Sequence, residues 1–296
     1  MLVQLLIAKC GMTMPNTKNE LWDYLSQSEG AFVTQICHEM ANQQWVQPLI
    51  QSIDNNGGFI RENKALLFEL RFAYALHRMG AKPNYEIDGE GTSKLDFGFT
   101  SANQRWAVEL MRLEETKAVR SATHASLDEN GVLWSSRLLV TGAEDPKQTP
   151  ERETLKAVQR ICRKCERNGS PHKFPVPNGT YHAILVDFRT FQNGGDVCDR
   201  MHIAMGGESV KEQFRYYWDD KLISGAFNPK TEMKGAVFLR QRVHFIGFVD
   251  EQKYTPDEFA GAIQFVANPN LFANVSDIRE AINTWPLQPA RVLNDR

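Results

Sequence analysis

Asp96 and Glu109 lie in two stretches whose apolar residues alternate with period two, and Glu69 precedes them in a stretch of helical period. Over Lys94–Thr100, alternation turns Leu95, Phe97 and Phe99 one way and Lys94, Asp96 and Gly98 the other. Over Arg105–Leu113, Trp106, Val108 and Leu110 share a face, while Ala107, Glu109 and Met111 share its opposite. Paired as a hairpin, the two stretches bring Asp96 and Glu109 together. Carboxylates that converge repel unless a cation or a proton sits between them. Oxygen ligands from Asp, Glu and a backbone carbonyl suit Mg²⁺, which keeps several waters and commonly meets phosphate. The chemistry this suggests is metal-assisted phosphodiester hydrolysis, in which the ion polarises the phosphoryl group and acidifies the attacking water. The same spacing equally suits two solvated carboxylates on an exposed sheet face. Glu69 shares a helical face with Ala65, Phe72 and Leu76. Burying a carboxylate there requires a metal or a charged partner; otherwise Glu69 sits at the stripe's edge, paired with a Lys or Arg.

The elements that must position these groups are legible in outline. Residues 18–53 read as mainly helical up to the break at Asn55-Asn56-Gly57-Gly58, and Lys64 to Met79 as a helix stopped by Gly80. Strands follow near Asn84–Ile87, Lys94–Thr100 and Arg105–Leu113, separated by Asp88-Gly89-Glu90-Gly91 and Ser101-Ala102-Asn103-Gln104. Val132–Val140 suits a strand, Glu151 to Arg167 a helix before Asn168-Gly169, and Tyr181–Phe188 a buried strand. Farther on, the pattern predicts a helix over Glu208–Trp218, strands at Val237–Leu239 and Val243–Val249, and a helix over Pro256–Val266. The expected fold is α/β, with an α-β-β-β-α-β core in a mixed sheet flanked by helices. The expected divisions are an N-terminal helical region (1–58), the core (59–190) and a C-terminal α/β extension (191–296) packed on the same domain.

The run from Met79-Gly80-Ala81-Lys82 through Lys94-Leu95-Asp96-Phe97-Gly98 to Trp106-Ala107-Val108-Glu109-Leu110-Met111 resembles the PD-(D/E)XK nuclease superfamily, the restriction-endonuclease-like fold. The resemblance covers roughly residues 64–188. It implies that Asp96 and Glu109 are the motif acids, and that Glu69 matches the extra acid many members carry on their first helix. It also implies Mg²⁺ (with Mn²⁺ as a substitute) held by Asp96, Glu109 and the Leu110 carbonyl, and a nucleic-acid substrate, DNA rather than RNA. Leu95 replaces the family's Pro, a minor change. Met111 replaces its Lys, which orients the attacking water or stabilises phosphorane charge. Either a cation has moved, with Lys94 the leading candidate and Lys156 a weaker one, or the site has decayed into a nuclease-like binding or assembly module. The chain is expected to act with nucleic acid and as a homodimer or a subunit of a larger assembly. A third reading is an interaction protein with no nucleic-acid role.

The 296 residues carry a formal net charge of −2, which argues against coating nucleic acid by bulk charge. The sum conceals an asymmetry. Asn84–Glu129 holds nine acidic and five basic residues, whereas Lys147–Lys173 holds eight basic and three acidic ones. Lys156, Arg160, Arg163 and Lys164 on the expected helix are therefore candidate contacts for a phosphate backbone. Cys162-Arg163-Lys164-Cys165, even with Cys198 and His202, lacks the two compact ligand pairs of a zinc site, so zinc is not expected. Five Cys, an odd number, suit a reducing cytoplasm. The apolar start Met1–Ala8 is too short to span a bilayer, is poor as a signal peptide, and reads as the start of a buried element; no membrane association is expected.

Overall fold

The computed structural model describes residues 27–114, 123–127, 133–137, 149–189, 195–251 and 253–295. The helical reading of 18–26 and the flanks of the 132–140 strand lie outside them. Helices α1 (Gln27–Glu39) and α2 (Gln47–Asn55) lead to α3 (Lys64–Arg78). Leu, Ala, Phe and Glu make α3 a strong helix former, and it closes as the sequence predicts. Gly80 takes φ 73°, its N–H donates to His77 O, and Ala81 N–H donates to Leu76 O, the two bonds of a Schellman cap.

Three strands follow: β1 (Asn84–Asp88), β2 (Lys94–Ser101) and β3 (Gln104–Arg112). The two-residue turn Ala102-Asn103, with φ 49° and 63°, joins β2 to β3. Next come β4 (Thr123–Leu127) and β5 (Leu133–Arg137), paired only with each other, and then α4 (Pro150–Arg163). Thr149 caps α4 by accepting the Arg152 N–H, and Pro150, Glu151 and Glu153 occupy its first turn. The helix stops four residues short of the predicted end. Asn168 (φ 54°) and Gly169 (φ 79°) form the turn of a small hairpin, β6 (Glu166–Arg167) with β7 (Ser170–Pro171), which draws 166–167 out of the helix.

Strand β8 (Thr180–Asp187) lies parallel to β3, so α4 is a crossover between them. Helix α5 (Val197–Met205), the short pair β9 (Tyr217–Trp218) and β10 (Lys221–Leu222), and α6 (Ala236–Arg242) precede β11 (Phe245–Val249). The chain ends with α7 (Glu258–Gly261), β12 (Ile263–Ala267), α8 (Val275–Asn283) and β13 (Arg291–Val292). The main sheet runs β1-β2-β3-β8-β11-β12-β13. It is mixed: β1, β2 and β3 are antiparallel neighbours, whereas β3, β8 and β11 are parallel.

Three expectations in the C-terminal third are corrected. Val237–Leu239 lies in α6, because a short apolar run does not distinguish strand from buried helix. Glu208–Trp218 is two 3₁₀ turns and a strand instead of one helix. The helix expected over Pro256–Val266 is confined to α7, since the β-favouring Ile263, Phe265 and Val266 join the sheet as β12.

Two apolar layers sandwich the sheet. One, carrying Phe72, Phe97, Trp106, Leu185 and Trp285, lies under α1–α3 and α8. The other, carrying Leu95, Met111, Val158, Ile161 and Val186, lies under α4–α6. Leu95 belongs to the second layer and not, as alternation predicts, with Phe97 and Phe99 in the first. Its partner Ile87 packs on the same second layer, whereas Tyr85, opposite Phe97, packs on the first. The change of face falls at Glu86, whose φ of 55° breaks the regular pleat.

Candidate active site

The ladder between β2 and β3 runs from Ser101↔Gln104 to Phe97↔Val108 and stops there, one residue before Asp96 would face Glu109. The Asp96 carboxylate takes over the role of a strand partner: Leu110 N–H donates to its Oδ2 at 2.6 Å. Where the ladder ends, side chains from both layers converge on the sheet. Glu69, on α3, accepts the Tyr85 hydroxyl at 3.1 Å. From the α4 side, Lys164 Nζ lies 2.7 Å from Glu109 Oε1 and 3.4 Å from the Leu110 carbonyl. Lys173, in the loop before β8, places its Nζ 3.0 Å from Glu109 Oε2. Glu69, Asp96, Glu109, Leu110, Met111, Arg160, Arg163, Lys164 and Lys173 all line one cleft of about 540 Å³. The acidic sheet and the basic helix, separate stretches in the sequence, form opposite walls of this cleft.

The electrostatics divide the three acids. Burial, and then the negative charges of Glu109 and Glu69, push the Asp96 carboxyl well above its ordinary value, despite the Leu110 N–H and Lys173. Burial pushes Glu69 up to about 7, with Tyr85 opposing and Glu109 adding to the rise. Glu109 is itself buried, at 1% exposure, and both of its oxygens meet ammonium groups. Two acids whose ionisation is disfavoured, beside a third with lysine partners, are short of positive charge, the condition an added cation relieves.

The cation predicted to replace the motif Lys is not Lys94. That side chain is exposed and paired with Asp88 at the far end of the β1–β2 hairpin, outside the cleft. Lys156 sits beside Glu153 at 3.9 Å and also misses the cleft. Lys164, expected only as a phosphate contact, reaches Glu109 instead, one residue past the end of α4. Lys173 went unassigned in the sequence, where it counted only toward local charge. Its signal lay in the Asn168-Gly169 turn, which sends the chain back toward the sheet, but nothing local gives the reach of its side chain. Cys162 and Cys165 are buried in the second layer, and burial pushes the Cys162 thiol up to about 12.

Among the described residues no group of three His, Cys, Asp or Glu side chains is arranged to hold a metal by itself. Asp96, Glu109 and the Leu110 carbonyl supply oxygen donors only, a set that fits a hard cation retaining several waters better than a fully protein-caged one. No described helix is long and apolar enough to cross a membrane. Comparison with protein-family models, with curated proteins and with solved structures finds no match. The fold and the cleft therefore define the chain by themselves: a mixed α/β protein with carboxylates and lysines facing each other where its sheet splits.

Proposed function

We propose that the protein is a Mg²⁺-dependent nuclease of the PD-(D/E)XK, restriction-endonuclease-like kind, acting on DNA. The observation that carries this reading is the convergence of Asp96, Glu109 and the Leu110 carbonyl with lysine ammoniums in one cleft. The helix–three strands–helix–strand order of α3 to β8, with β8 parallel to β3, supports it. Asp96, Glu109 and the Leu110 carbonyl would hold the ion, which when bound polarises a phosphoryl oxygen and lowers the pKa of water. Glu69 is placed to accept a proton from water at its edge of the cleft, its affinity for protons raised by burial. Lysines reaching Glu109 from outside its strand supply the positive charge that Met111 cannot. Arg160 and Arg163 stand on the wall where a phosphate backbone would lie. In the reaction, a water oxygen bonds to phosphorus, the bond to the leaving sugar oxygen breaks, and that oxygen takes a proton. The products are a phosphomonoester and a hydroxyl.

The test is cleavage of duplex and single-stranded DNA in Mg²⁺ or Mn²⁺ by wild type, Asp96→Ala and Glu109→Ala. Each variant is expected to lose at least about a thousandfold in rate, roughly 4 kcal/mol of transition-state stabilisation. Unchanged cleavage by both overturns the assignment. Met111, buried at the motif position, favours a second reading, a nucleic-acid-binding module without catalysis. It requires DNA binding that survives EDTA and no cleavage with any metal.

A further inference from the structure

Glu109 receives two ammonium groups where one would neutralise it, and the two are held in different ways. Lys164 follows the last turn of α4, and its Nζ touches Glu109 Oε1 and the Leu110 carbonyl, so it meets two of the three residues assigned above to the ion. Lys173 touches only Oε2. Its backbone sits in the left-handed region at φ 62°, a conformation that a residue with a side chain rarely adopts unless its surroundings enforce it.

Those surroundings form a clamp. Lys173 N–H donates to Ser93 Oγ at 3.1 Å, and the Lys173 carbonyl accepts from Glu90 N–H at 2.8 Å. The β1–β2 loop comes so close that a Cβ on Gly89 would lie 2.3 Å from the Lys173 oxygen, so glycine is required there. Arg242, at the end of α6, locks both sides. Its Nη1 donates to Glu90 Oε2 at 2.9 Å and to the carbonyl of Phe174, next after Lys173, at 2.7 Å. Two other parts of the chain, the β1–β2 loop and the end of α6, thus converge to hold one strained residue with its ammonium in the cleft.

We propose that the two lysines divide the cationic work of the site. Lys173 is the catalytic cation that contacts a non-bridging oxygen of the scissile phosphate. Lys164 occupies the place of the metal ion and gives way when that ion binds. Glu90 and Arg242 are positioning residues for Lys173. The division rests on the nuclease reading, and it follows from the contact sets: an ion taking Glu109 Oε1 and the Leu110 carbonyl competes with Lys164 and leaves Lys173 on Oε2. A compact ammonium held there offers charge and hydrogen bonds to a phosphoryl oxygen as negative charge builds on it.

The experiment pairs Lys164→Gln with Lys173→Gln in the full chain and reads two quantities. One is the Kd for Mn²⁺ alone by calorimetry; the other is the single-turnover rate of duplex cleavage in Mg²⁺. Lys164→Gln is expected to tighten Mn²⁺ binding at least tenfold. Lys173→Gln is expected to change Mn²⁺ affinity less than threefold and to lose at least a hundredfold in rate. Glu90→Gln, at a half-buried position, is expected to lower the single-turnover rate about tenfold with duplex Kd and Tm unchanged. A Lys173→Gln protein that cleaves like wild type, or a Lys164→Gln protein whose Mn²⁺ affinity is unchanged, overturns the division. Asp96→Asn and Glu109→Gln measured alongside keep the two failures apart. If both cleave normally the nuclease reading falls, whereas if both are dead and the lysines behave alike only the division falls. The Mn²⁺ titration separates the lysines without any turnover.

Discussion

Among the described residues, two clusters of three carboxylates, one partly buried in the cleft and one fully buried, are treated in opposite ways. In the cleft, Glu69, Asp96 and Glu109 share Lys164 and Lys173, and both lysines are spent on Glu109. On the other side of α3, Glu29, Asp187 and Glu251 are matched by guanidinium groups. Arg71 pairs with Glu29 at 2.6 Å and with Glu251 at 2.7 Å, and Arg189 pairs with Asp187 at 2.7 Å. The response of the acids follows. Burial would raise Glu29 and Asp187, but the arginines around them outweigh it and hold both below the usual carboxylate range. At Glu251 burial wins and the carboxyl is raised, as it is at Asp96 and Glu69. Arg71 and Glu69 are two residues apart on one helix, so α3 carries a compensated charge toward one cluster and an uncompensated one toward the other. The lesson is that buried acids alone do not mark a site. Two of the matched acids, held below the usual carboxylate range, are structural ties between α1, α3 and the end of β8, whereas the under-compensated cluster borders open space of about 540 Å³.

The comparison breaks most visibly at Arg71. Replacing it with Met leaves buried Glu251 without its guanidinium and Glu29 without its closest one, with Lys64 and Arg189 still beside Glu29, and is expected to cost about 3–5 kcal/mol of stability, measured by urea unfolding. An equal-sized loss on removing a cleft carboxylate would erase the contrast. Smaller, and opposite in sign at the cleft, is the pH response of the metal-free protein. Glu69 is raised in the fold from 4.5 to about 7, so the folded state binds more protons than the unfolded chain in that window. Glu69's own contribution then falls as pH rises from about 4.5 through 7, by on the order of 3 kcal/mol, against the rise that His182, His202 and His244, all lowered by burial, contribute below about pH 6.5. The difference between wild type and Glu69→Gln in a Tm-versus-pH series isolates it. Glu29 and Asp187, lowered in the fold, act the other way. Their contribution is complete above the unfolded carboxylate range near pH 4 and is lost as pH falls below it. A wild-type-minus-Glu69→Gln difference in stability that does not fall from about pH 5 to 8 contradicts the assignment. Smallest is the effect of Asp96→Asn, which removes a repelled charge while keeping an acceptor for Leu110 N–H. It is expected to raise stability at pH 8 by on the order of 1 kcal/mol in thermal unfolding, even as it abolishes cleavage.

Local chemistry made much of the scaffold legible. Gly80 ends α3, a helix is legible from Glu151 onward, and period-two alternation locates β2 and β3 within a residue or two. These signals act over a few residues, so composition and spacing suffice to read them. The C-terminal third was less legible because its short apolar runs, such as Val237–Leu239 and Ile263–Val266, acquire a helix or strand identity only from what they pack against.

By itself, the sequence determined that Asp96 and Glu109 stand on adjacent strands, that Glu69 precedes them on a helix, and that a basic helix follows. Only the tertiary structure decided which charges meet. Leu95 lies in the other layer, opposite the irregular stretch around Glu86, the β2–β3 ladder stops before Asp96, and Lys164 rather than Lys94 reaches Glu109. Lys173 reaches it too, through a loop held by Ser93, Glu90 and Arg242 from two other parts of the chain. The physical reason is range: caps, turns and alternation are set by neighbours in sequence, whereas an ammonium is placed by the packing that carries its backbone to the cleft.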